Sequence, residues 1–70
     1  MDRQSIKLSN LRSIGYDRNI NTLEIEFHSG GIYQYFNVPE SIYLALMKAM
    51  SKGTYFHDNI QQRYKYKRIK

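Results

Sequence analysis

Between Thr22 and His28 the chain alternates strictly, with Leu23, Ile25 and Phe27 on one side of an extended backbone and Glu24, Glu26 and His28 on the other. A period of two admits a half-buried strand and excludes an amphipathic helix. Ser29-Gly30-Gly31 follows, where glycine supplies the positive φ angles of a tight hairpin, and Ile32 to Phe36 returns as the partner strand. The hairpin has two possible registers. With a loop of two or four residues, Phe27 shares a face with Ile32 and Phe36, and Tyr33 and Tyr35 lie outside, flanking Glu24 and Glu26. With a loop of three, as in a bulged glycine turn, both tyrosines join Ile25 and Phe27 inside.

Upstream, Leu11 to Asp17 places Ile14 and Tyr16 two apart, and Arg18-Asn19-Ile20-Asn21 is rich in residues that tolerate turns, so this stretch reads as strand then turn. Asp17 is expected to cap that turn through its side chain. Ile6 and Leu8 allow a further short edge strand. Downstream, Pro39 lacks the N–H that a first helical turn would orphan, so a helix is predicted from Val38-Pro39-Glu40. Over Pro39 to Met50 it carries Ile42, Tyr43, Leu46, Met47, Ala49 and Met50 on one stripe, leaving Leu44 and Lys48 outside. Gly53 is expected to end this helix as a left-handed C-cap. Thr54 then caps a short second helix, on which Phe56, Ile60 and Tyr64 recur at every fourth position. The expected fold is α+β: a small antiparallel three-stranded sheet, β-β-β-α-α, covered by one main helix and a short second one.

A chain of 70 residues buries too little surface to be more than one marginally stable domain, here residues 1–70. It has no cysteine, so disulfides and thiolate metal sites are excluded and homodimerisation is the expected extra support. No charged-then-apolar leader and no membrane-length apolar run occurs, which points to a soluble cytoplasmic protein with no membrane role. The net charge of +5 is a property of one end. Arg63, Lys65, Lys67, Arg68 and Lys70 stand without an acid, whereas the rest of the chain balances six basic against six acidic groups.

That basic segment, 63–70, interleaves rings with cations. In an extended backbone Tyr64 and Tyr66 would show on one side and Lys65 and Lys67 on the other. Rings stack on bases, Arg grips phosphate through a planar fork and Lys does so as a point charge. Arg63, Tyr64, Lys65, Tyr66, Lys67, Arg68 and Lys70, together with Tyr33 and Tyr35, are therefore the candidate nucleic-acid contacts. The competing reading packs Tyr64 and Tyr66 against the sheet and leaves the lysines to water.

Catalytic constellations are thin. His28 falls at a hairpin tip and His57 in the second helix, with no His-Glu-x-x-His pattern, so no metal site is expected. Adjacent helical residues point in different directions, which argues against His57 and Asp58 as a base with its orienter. Gly30-Gly31 joins two strands and lacks the Lys-Ser and helix start of a phosphate loop. Neither catalysis nor a cofactor is expected.

The run Ser9-Asn10-Leu11-Arg12-Ser13-Ile14-Gly15-Tyr16-Asp17, then Leu23 to Phe27, Gly30, Tyr33-Gln34-Tyr35, Val38-Pro39, Ser51-Lys52-Gly53, Tyr55-Phe56 and Ile60, resembles the KTSC domain over nearly the whole chain. Shared order and spacing carry the resemblance; Tyr-x-Tyr alone is common. The family is named for a C-terminal extension of some bacterial lysyl-tRNA synthetases and also occurs as small stand-alone proteins. The resemblance implies a module for which RNA binding has been suggested, and it brings no catalytic or ligand residue. RNA or another single-stranded nucleic acid is thus the expected partner, with a protein-interaction or homo-oligomeric module as the alternative.

Overall fold

The hairpin adopts the three-residue register. In the computed structural model, which describes residues 1–5 and 10–70, the Phe27 N–H donates to Gly31 O at 2.9 Å and the Gly30 N–H donates to Phe27 O at 2.9 Å. Gly30 takes φ 107°, a conformation that strains any residue with a Cβ. The strands on either side, β3 (Thr22–Phe27) and β4 (Ile32–Tyr35), pair antiparallel with Ile25 opposite Tyr33 and Leu23 opposite Tyr35. Facing residues share a side, so both tyrosines lie with the apolar set and Glu24 and Glu26 lie on the reverse.

Among the described residues the sheet has five strands, not the three expected, in the order β1-β2-β3-β4-β5. Strand β2 (Leu11–Asp17) pairs with β3 as predicted, and a register shift between Leu11 and Ser13 lets Leu11 as well as Ile14 enter the core. The first additional strand, β1 (Gln4–Ser5), is two exposed residues against β2, too short for any periodicity to announce. The predicted edge strand around Ile6 and Leu8 lies outside the described residues. The second, β5 (Tyr66–Arg68), adds the basic end to the far side of β4, with Tyr35 opposite Tyr66 and Tyr33 opposite Arg68. Its strand character depends on β4 offering an unpaired edge, which local sequence does not reveal.

Helix α1 (Glu40–Lys48) starts behind Pro39 as expected and buries Leu46 completely, with Ile42, Tyr43 and Met47 packed beside it and Leu44 outside. It stops two residues early. Ala49 is extended at φ −65° and ψ 139°, and Met50 is fully exposed instead of completing the apolar stripe. Helix α2 (Lys52–Asn59) is therefore capped three residues before the predicted Thr54: Ser51 is the N-cap, its hydroxyl accepting from the Thr54 N–H at 3.3 Å. Gly53 sits inside α2 and is not a C-cap. Lys52 instead closes the first helix, donating to Ala49 O at 3.1 Å. Phe56 and Ile60 are buried, and Tyr64 packs against them from beyond the helix.

The Gly15-Tyr16-Asp17 run has a structural use at each position. A Cβ on Gly15 would lie 2.5 Å from Asp2 O and 2.9 Å from Arg3 Cγ, because the N-terminal segment crosses the sheet there. Tyr16 stacks on Tyr43 at 4.7 Å between ring centroids, and its hydroxyl donates to Val38 O at 2.6 Å, tying β2 to the start of α1. The Asp17 carboxylate accepts from the Asn19 N–H at 2.9 Å, the turn cap the sequence predicts.

Candidate functional site

The two helices cover the inner face of the sheet only in part. Over β2 and β3 they make an apolar core of Leu11, Ile14, Leu23, Ile25, Leu46, Phe56 and Ile60. Beyond that core, β4 and β5 extend a floor of rings. Tyr35 meets Phe56 edge-on at 5.2 Å and Tyr66 at 5.5 Å; Tyr33 meets Phe27 edge-on at 5.5 Å and Tyr66 at 5.8 Å. Such spacings and tilts suit the quadrupoles of the rings. The cluster opens outward step by step: Phe56 and Tyr35 are buried, Phe27 and Tyr33 half-buried, and Tyr66 is 58% exposed.

A groove of roughly 580 Å³ runs over this floor, walled on the helix side by His57, Gln61 and Gln62. A second groove of roughly 340 Å³ adjoins it, sharing Phe27, Ser29, His57 and Gln61 and continuing to Asn10, His28 and Gly53. No carboxylate lines either one. The two acids that flank the tyrosines in sequence, Glu24 and Glu26, are on the other side of the sheet. The Arg68 guanidinium carbon lies 5.8 Å from the centroid of the Tyr33 ring, within cation–π range.

The hydroxyl of Tyr35 is a particular feature of the groove. Burial, reinforced by the neighbouring Tyr66 and Tyr33 phenols, pushes its pKa up to about 12, so it stays a neutral donor. Among the described residues no side-chain nitrogen or oxygen is fully buried without a hydrogen-bond partner. The Tyr35 hydroxyl bonds to no described side chain or backbone group, so it must open into the groove that Tyr35 lines.

Of the candidate contacts read from the sequence, Tyr33, Tyr35, Tyr66 and Arg68 come together here. The others disperse. Lys67 faces Gln34, and Lys65 accepts from the Phe36 N–H at 2.9 Å through its carbonyl, which puts both lysine side chains on the reverse of the sheet. Arg63 stands in the turn after α2, Lys70 at the chain end beside Ile32, and Tyr64 packs on the core away from the strand. The expected division of rings from cations holds for Tyr66 against Lys65 and Lys67 and fails for Tyr64, which lies outside β5; Arg68, two positions after Tyr66, shares the ring side. Sequence reading missed Phe27, Gln61 and Gln62. Gln61 follows His57 by one helical turn beside the Phe56/Ile60 stripe, which was the available signal.

The reverse of the sheet is of a different character. Arg3 pairs with Glu24 and approaches Glu26 at 3.8 Å, its Nε donates to the Ser13 hydroxyl at 2.9 Å, that hydroxyl donates to Glu26 at 2.8 Å, and the Gln34 amide donates to Glu24 at 2.9 Å. Burial opposes the charge on Glu24. The hydrogen bonds from Gln34 and Arg3 and the charge of Arg3 outweigh it and hold the carboxyl below its usual range. His57 and Asp58 do meet, at 3.2 Å, contrary to the sequence argument, but both are mostly exposed. Among the described residues no cluster of three or more His, Cys, Asp or Glu side chains could hold a metal, and no helix is long and apolar enough to cross a membrane.

Comparison with known proteins agrees with the motif order. The family model described as the KTSC domain matches residues 8–64. A protein of Stutzerimonas stutzeri described as uncharacterised is 43% identical over 70 residues, covering 99% of both chains. A lysine–tRNA ligase of Nostoc sp. is 41% identical over 59 residues, which is 84% of this chain and 10% of the ligase, so the chain spans about a tenth of that relative. The crystal structure of a KTSC domain protein from Yersinia pestis matches with a TM-score of 0.95 at 39% identity, covering 99% of this chain and 97% of that one. Reproducing motif order, sheet and helices together, the chain belongs to the KTSC domain family.

Proposed function

We propose that this protein is a non-catalytic cytoplasmic module that binds RNA through the ring-floored groove and the cations near it. The observation that carries the reading is the pairing of β5 with β4, which sets Tyr66 and Arg68 beside Tyr33 and Tyr35 on the side of the sheet opposite Glu24 and Glu26. Glutamates beside the rings would repel phosphate; this register removes them. Lysine–tRNA ligases among the relatives, named for an RNA substrate, support the same reading.

Phosphate-driven binding releases counterions, so affinity for single-stranded RNA should fall steeply between low and physiological salt. Replacing Arg68 and Lys70 by neutral residues should remove much of that affinity while leaving stability within about 1 kcal/mol, since exposed charges contribute little to folding, whereas neutralising Lys65 and Lys67, on the reverse of the sheet, should lower affinity far less. If Arg68 and Lys70 each contact a phosphate, the slope of log affinity on log salt should flatten by about 1.4 in the variant that lacks both. A parent that binds no RNA, tRNA or DNA, or a variant lacking Arg68 and Lys70 that binds as the parent does, overturns the reading. The second reading is a protein-interaction or homo-oligomeric module, favoured by the open outer edge of β5, where a strand from another chain would add. Association of that kind changes little with salt.

A further inference from the structure

We infer that the groove over Tyr33, Tyr35 and Tyr66 is a reader of unpaired nucleobases, so that its ligand is single-stranded RNA and not duplex; this rests on the RNA-binding reading above. Tyr66 supplies the stacking surface. It is 58% exposed, yet two neighbours hold it, Tyr35 at 5.5 Å tilted by 35° and Tyr33 at 5.8 Å tilted by 52°. A ring already held by its neighbours loses little freedom when a base lies on it. Every base presents a π-face, so stacking there needs no particular sequence.

Hydrogen-bonding groups surround that surface. The Tyr35 hydroxyl opens into the groove as a neutral donor, and the opposite wall carries the amides of Gln61 and Gln62, each with both a donor and an acceptor. Neither amide bonds to a described residue. Such groups match the Watson–Crick edge of a base, which is free only when the base is unpaired. Within a duplex that edge is occupied and both base faces are stacked, so the body of a helix offers this groove no free Watson–Crick edge and no free base face.

Charge and size agree with this ligand. A groove of roughly 580 Å³ is within the range for a compact ligand, and its continuation of roughly 340 Å³ past Phe27 gives the next nucleotide somewhere to go. Arg68, 5.8 Å from the Tyr33 ring, stands where it can neutralise a phosphate next to the stacked base.

The test compares three probes at low salt by fluorescence anisotropy: a labelled single-stranded RNA of about eight nucleotides, the same backbone with abasic sites, and the corresponding duplex. The single strand should bind tightest, with the abasic probe weaker by about tenfold or more. Tyr66→Ala should bring the single strand down to the abasic level while leaving abasic binding unchanged, and Gln62→Ala, an exposed change safe for folding, should weaken the single strand alone. An abasic probe or duplex bound as tightly as the single strand, or a Tyr66→Ala variant that weakens all probes equally, overturns the base-reading groove and leaves RNA binding standing. Failure of all three probes to bind overturns both.

Discussion

The two faces of this one sheet treat polar atoms in opposite ways. On the reverse face, Arg3, Ser13, Glu24, Glu26 and Gln34 satisfy one another, and Glu24 is buried at 5% exposure beneath the N-terminal segment. On the inner face at the β4–β5 end, large rings stand open and the Tyr35 hydroxyl and the Gln61 and Gln62 amides have no partner within the described protein. A network whose groups are all engaged has nothing left for a ligand, and removing any member exposes a desolvation cost. An open surface of rings and unengaged donors contributes less to stability and has capacity to spare for binding. Charge in a sequence is thus a poor guide to function until its partners are known: two glutamates that looked like an obstacle to phosphate are part of the scaffold.

The comparison can be broken most severely at the layer both regions depend on. Leu46 is fully buried where α1 meets the sheet, so Leu46→Asp places an unpaired charge in the core and should abolish the fold, read as loss of mixed helix and strand by circular dichroism. A stable, cooperatively melting variant would show that α1 does not hold the sheet.

Next in size, Arg3→Ala should cost about 1–3 kcal/mol in chemical denaturation, because it strands the buried Oε2 of Glu24, while Oε1 keeps the Gln34 amide. Lys67→Ala, on the same face but exposed, should change stability by under about 0.5 kcal/mol. Acid sharpens the point. The Glu24 carboxyl is held below its ordinary range, so its contribution is fully present above that range and is lost as pH falls through the lowered folded value. Glu24→Gln should flatten the stability profile in that window; an unchanged profile means that the ion pair is not formed in solution.

The smallest effects belong to the open region. Tyr35 is raised to about 12, whereas an unfolded tyrosine ionises near 10, so stability should be constant with respect to this group below pH 10 and decline as pH rises from there towards 12. Tyr35→Phe should remove that decline. Ultraviolet titration showing all seven tyrosines ionising together near 10 would mean that the groove floor is not buried in solution.

Strict alternation from Leu23 to Phe27, the glycines at the loop, Pro39 before a helix and the fourfold spacing of Phe56 and Ile60 are local signals, and each produced the element it indicated. They depend on neighbours a few residues away, which a sequence displays directly. The order of motifs likewise disclosed the family. The boundary between the helices was harder: Thr54 and Ser51 are both competent caps, and the choice fell to Ser51 once Ala49 left the helix.

Other features turn on contacts between distant parts of the chain. Two hairpin registers were open to Tyr33 and Tyr35, and the turn at Gly30 chose the one that sends them inward. Neither β1 nor β5 has enough residues to form a periodic pattern, and each becomes a strand only because a folded sheet presents an edge to it. The same pairing sorts the basic end, bringing Arg68 to the rings and turning Lys65 and Lys67 away. Nothing near Arg3 in the sequence foretells its bond to Glu24, 21 positions on. Hydrophobic periodicity tells which side of an element seeks burial; only the tertiary arrangement decides what lies against it, because that depends on which edges and charges the rest of the chain leaves unsatisfied.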